Sequence, residues 1–106
     1  MLQKGESVRL NVVGEGVAPQ NMSSPAQAKA MAKRAAMVEG YRLMAERIKG
    51  VHVEGRDRLR NMMINSSRVY LTVSALIKNA EVMETTFEDG LCKVEMEAVL
   101  SYRDFQ

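Results

Sequence analysis

The side chains able to do chemistry in this chain are few and scattered. His52 and Cys92 are each the single residue of their type. A Cys–His nucleophile pair would require the fold to bring them into contact. A lone cysteine forms no internal disulfide and has no metal-ligand spacing around it. Glu84, Glu95 and Glu97 could supply paired carboxylates for general acid/base work. Arg56, Arg58 and Arg60 recur at every second position, a spacing that could contact an anion or a nucleic-acid backbone. Gly14-Glu15-Gly16 lacks the third glycine of a dinucleotide-binding turn, and a loop separates it from the next helix start.

The elements that must position these residues are read from periodicity. Residues 7 to 18 alternate, with Val8, Leu10 and Val12 on one side and Arg9, Asn11 and Glu15 on the other, as in a half-buried strand. Gly14 and Gly16 continue the inward phase without side chains, which lets a large neighbour approach the backbone. After a loop over 18–23, a long helix is expected up to Gly50. Ser24 caps it, Pro25 suits its first position, and Gln27 has capping-box spacing. Gly50 is expected to end it in the left-handed conformation. At about 25 residues the helix would run roughly 38 Å, so the other elements must pack along it. One side collects Ala26, Ala30, Met37, Tyr41, Met44 and Ile48, and an adjoining strip holds Ala32, Ala36, Gly40 and Leu43. Glu39, Arg42 and Glu46 lie on the far side at ion-pairing spacing.

Val51 to Met63 alternates again, which predicts a second strand presenting His52, Glu54, Arg56, Arg58 and Arg60 on one face. No aromatic side chains interleave that stripe as stacking platforms would, so an exposed sheet face paired with carboxylates is the favoured reading. Asn65-Ser66-Ser67 signals a second, shorter helix burying Val69, Tyr70, Val73, Leu76, Ile77 and Ala80 and ending at Lys78, with Asn79 as a left-handed cap. Asp89-Gly90 then predicts a two-residue hairpin turn. That register sets Glu88 opposite Leu91 and Phe87 opposite Cys92. It places Phe87, Thr85, Met83, Cys92, Val94, Met96 and Ala98 on the core face, and Glu84, Lys93, Glu95 and Glu97 on the other. Cys92 then reads as a small buried apolar residue. Glu84 would lie across from Glu95 on an open face with no pocket implied, which argues against catalysis.

The totals fit one domain, 1–106, with one core and with residues 1–6 and 101–106 as flexible ends. Apolar residues make up 46% and charged residues 26%, and the net charge of +2 does not by itself imply nucleic acid. No apolar run approaches the roughly 18 residues that span a bilayer. The start reads as strand rather than signal peptide, so the chain is either cytoplasmic or the trimmed part of an exported protein.

The order of these pieces resembles the Lpp-twenty lipoprotein family of bacterial cell envelopes and the related N-terminal domain of the flagellar H-ring assembly protein T. The resemblance rests on Gly14-Glu15-Gly16-Val17-Ala18-Pro19, Ser24-Pro25-Ala26-Gln27-Ala28 and Arg34-Ala35-Ala36. It continues through Glu39-Gly40-Tyr41-Arg42-Leu43, Ile48-Lys49-Gly50-Val51-His52-Val53, Asn79-Ala80-Glu81-Val82, and Asp89-Gly90 with Val94. It implies a location in the periplasm or at the outer membrane, with membrane attachment only through a lipid anchor absent from this chain. It also implies a structural or assembly role with protein partners, the chain itself among them, and brings no catalytic residue.

The expected fold is α+β, in the order β-α-β-α-β-β, with two helices on one face of a four-stranded mixed sheet. The charged face, with Arg56, Arg58, Arg60, Glu84, Glu95 and Glu97, is the expected interaction surface, and no catalytic, cofactor or metal site is expected. The alternative is a cytoplasmic anion or nucleic-acid binder using the three arginines.

Overall fold

The computed structural model describes residues 1–21 and 24–106. Part of the expected loop, Met22 and Ser23, lies outside them. The order is β1 (Ser7–Val17), α1 (Pro25–Lys49), α2 (Leu59–Asn65), α3 (Ser67–Lys78), β2 (Glu81–Glu88), β3 (Leu91–Ser101) and a closing 3-10 turn (Tyr102–Phe105). The sheet has three antiparallel strands in the order β1-β3-β2. The α+β class is as read from the sequence; the fourth strand and the mixed sheet are not formed.

The missing strand is the segment 51–63. Gly55 takes a positive φ of 76° and turns the chain back, leaving bridges at His52 and Val53. Beyond it Leu59, Met62 and Met63 recur at helical spacing, and α2 buries Leu59 and Met62. An alternating pattern broken by glycine is two short patterns: the first buries Val53 against Leu2 without extending a strand, and the second is helical.

β1 behaves as its pattern dictates, with Leu10, Val12, Gly14 and Gly16 turned inward. α1 crosses this face. Ser24 Oγ accepts the Gln27 N–H at 3.4 Å, capping the helix as expected. The buried line is Ala32, Ala36, Gly40, Met44 and Ile48; the small-residue strip faces the sheet, while Ala26 and Ala30 are exposed. The reason is contact distance. A Cβ on Gly14 would lie 2.8 Å from Gly40 Cα, and one on Gly16 would lie 2.5 Å from Ala32 O. Two helix ends differ from expectation. Gly50 (φ −79°) is right-handed and donates its N–H to Glu46 O, and Asn79 (φ −97°) is likewise not left-handed.

α3 starts at Ser66, whose hydroxyl accepts the Val69 N–H at 3.2 Å, and it buries Val69 and Val73. Tyr70, expected in the core, is exposed. The hairpin turn falls at Asp89-Gly90, with Phe87 opposite Cys92 and Glu84 opposite Glu95. A bulge between Val82 and Glu84 displaces Met83, so Val82 takes the place opposite Met96. Cys92, Val94, Met96, Ala98 and Leu100 form the buried row of β3, and Cys92 is fully buried as expected.

Both ends expected to be flexible are anchored. Leu2 is fully buried, its N–H bonds His52 O and its carbonyl accepts the Glu54 N–H. Phe105 is fully buried, and Ser101 and Asp104 form a capping box around the final turn.

Candidate interaction surface

The expected charged face is not assembled. Arg56, Arg58 and Arg60 lie outside the sheet and each serves a local contact. Arg56 donates to Phe105 O, Arg58 donates to Gly50 O at 2.7 Å, and Arg60 lies 3.5 Å from Glu46 on α1. The first two side chains close the ends of the fold, which removes the geometric basis of a nucleic-acid stripe. Glu84, Glu95 and Glu97 do lie on the sheet face away from α1, but without those arginines. Glu97 is 2.5 Å from Arg9, and Glu15 is 3.8 Å from Lys93 on the same face. Glu84 and Glu95, with Val13, Thr86 and Lys93, line a shallow open depression of about 170 Å³.

No reacting constellation is formed on this surface. Among the described residues no group of three or more His, Cys, Asp and Glu side chains is placed to hold a metal ion. Cys92 is sealed in the core, while His52 is exposed. Two carboxyls are held below their usual range, both by surface hydrogen bonds. The Arg42 guanidinium donates to Glu39, and Asn61 and the Arg58 N–H donate to Asp57. Glu39 is half-exposed and Asp57 exposed, and both stabilise local structure. Among the described residues no helix is long and apolar enough to cross a membrane.

The feature that stands out is β2. It is a sheet edge whose one strand neighbour, among the described residues, is β3. α1 packs chiefly over β1 and β3. A helix is about 10 Å across and strands are about 4.8 Å apart, so a single helix roofs two strands and leaves a third uncovered. α3 is short and packs mainly against α2 and α1, touching β3 and the closing turn less, so it does not roof β2 either. Val82 and Phe87, on the side that should be core, are therefore each 40% exposed, and Met83 at the bulge is 49% exposed. Lys29 on α1 sits 4.6 Å above the Phe87 ring and marks the helix flank that overlooks this ledge. The opposite edge is treated differently, since Arg47 reaches over from α1 to donate to Asn11 O of β1 at 3.2 Å.

Sequence reasoning placed Phe87 and Met83 in the core and missed this ledge. The signal was available in the width argument: one long helix cannot roof three strands.

The comparison with curated proteins finds no match. The family model described as LPP20 lipoprotein matches residues 15–101, from the glycine end of β1 to the last residue of β3. With most of its length so matched, the chain belongs to the LPP20 family of cell-envelope lipoproteins.

Proposed function

We propose that this chain is a non-enzymatic domain of the periplasmic or outer-membrane side of the bacterial envelope, and that it works by adding an extended segment of a partner protein to the open edge of β2. The observation that carries this reading is the uncovered β2 ledge, with Val82, Met83 and Phe87 exposed while β1 is bridged by Arg47. An unpaired edge presents a row of backbone donors and acceptors, and apolar side chains beside it give a docking strand something to bury. The glutamates of β2 line the other face, so the segment that fits is apolar on the helix side and basic on the far side. Assembly of a larger envelope structure, as the resemblance to the flagellar H-ring protein implies, is the setting in which such an edge is useful.

The test is to block the edge without touching the core. A Val82→Lys, Phe87→Lys double variant should melt close to the wild type yet lose capture of the protein that the wild type retains from solubilised envelopes. Equal capture by both forms would remove the reading.

A further inference from the structure

A second surface, on the segment that precedes β2 in the chain, has a different chemistry. From residue 58 to residue 80 the chain carries Arg58, Arg60, Arg68 and Lys78 and no Asp or Glu. The same stretch folds into α2 and α3, and their elbow exposes large apolar side chains: Ile64 is 77% exposed, Leu71 65% and Tyr70 53%. Ile64 and Tyr70 line one open cavity of about 530 Å³ with Met63, Arg60, Lys49 and Glu46. Glu46 is the acid at that rim, and Arg60 lies 3.5 Å from it, so Lys49 leaves the rim net positive. On α3, Leu71 and Lys78 lie two turns apart on the outward side, with Tyr70 at its flank.

We propose that the α2–α3 elbow rests on the surface of a bilayer carrying anionic phospholipid. Interfacial binding combines apolar side chains entering the headgroup boundary with cations that meet anionic headgroups. Ile64 and Leu71 supply the first, Lys49, Arg60 and Lys78 the second, and Tyr70 has the amphipathic ring suited to the boundary. A second copy fits this surface less well, because a two-fold contact would set the cations of one elbow against those of the other. The inference is independent of the β2 reading, since it concerns other residues and another ligand.

The experiment is co-sedimentation of the chain with two kinds of vesicle, mixed phosphatidylglycerol and phosphatidylethanolamine, or phosphatidylcholine alone. The wild type should bind the anionic vesicles, and binding should fall with added salt. Arg60→Gln with Lys78→Gln should weaken it about 25-fold, roughly five-fold per cation. Ile64→Ser with Leu71→Ser should weaken it about 100-fold, roughly ten-fold per side chain. Lys29→Gln with Lys33→Gln, on the first half of α1, should leave it within about two-fold, being well beyond a Debye length from the elbow. The inference is overturned if the wild type ignores both vesicles, binds them equally, or loses as much from the α1 pair as from the elbow pair. It is also overturned if light scattering shows a wild-type dimer that the Ile64, Leu71 variant turns into a monomer. The charge-neutral pair keeps the test valid should the apolar variant melt early.

Discussion

The close approach of α1 to β1 makes the sharpest prediction. Gly14 on β1 and Gly40 on α1 face each other, but the two glycines are not equivalent. A Cβ at Gly14 would stand 2.5 Å from Gly40 N and 2.8 Å from Gly40 Cα. Both obstacles are backbone, so strand and helix must part by about 1 Å to restore ordinary contact, and such overpacking costs about 1–3 kcal/mol. Relief of the strand glycine's entropy returns about 0.5–1 kcal/mol. Taking the midpoints, Gly14→Ala should therefore lose about 1.3 kcal/mol, a fall in Tm of about 5–10 °C for a domain this small. A Cβ at Gly40 would instead meet the Met96 sulfur, the far end of a flexible side chain. Alanine there also gains about 1 kcal/mol of helix propensity, so Gly40→Ala should stay within about 1 kcal/mol of the wild type. Thermal and urea melts followed by far-UV circular dichroism read both values. A Gly14→Ala protein that melts like the wild type, or a Gly40→Ala protein less stable than Gly14→Ala, would refute the close-approach reasoning.

Other consequences are as direct. Phe105→Ala should cost about 3–5 kcal/mol in urea unfolding, because the ring is fully buried; a value near zero would mean that the end is not anchored. Ser66→Ala removes the hydroxyl that caps α3 and should cost about 1 kcal/mol, with Ser66→Asp close to neutral by the same melts. Cys92 should resist a thiol reagent in the native protein and react at once in denaturant; rapid native labelling would contradict its burial. Glu39 and Asp57 have lowered folded-state pKa values, so their stabilisation is present above the ordinary carboxylate range and is lost as pH falls through the lowered values. A Glu39→Gln, Asp57→Asn variant should show a flatter acid limb of stability, and NMR midpoints at or above ordinary carboxylate values would count against the two hydrogen-bond networks.

Local patterns were legible where one rule governed. The β1 alternation, the Ser24-Pro25 start of α1, the Ser66 cap and the Asp89-Gly90 hairpin register all appear in the fold, because each is set by neighbours in sequence. The segment 51–63 misled because Gly55 divides a pattern whose second half, Leu59 to Met63, fits a helix as well as a strand. The ends misled for another reason. Leu2 and Phe105 are isolated apolar residues in polar surroundings, and only the long-range contacts with 52–56 show that they are core. The expected charged surface dissolved with the strand that carried it, since Arg56, Arg58 and Arg60 went to carbonyls and to Glu46. Family membership was legible from short ordered motifs, but the open β2 edge and the α2–α3 elbow needed the packing of α1 to be known.

The central claim is that β2 is the edge on which a partner is received. The direct measurement is photocrosslinking in intact cells, with the reactive side chain placed in turn at Met83 on β2, at Asn11 on β1 and at Val38 on the outer side of α1. The account predicts a discrete protein adduct from Met83 and none from Asn11 or Val38. Adducts of equal yield from all three positions, or from Asn11 but not Met83, would contradict it.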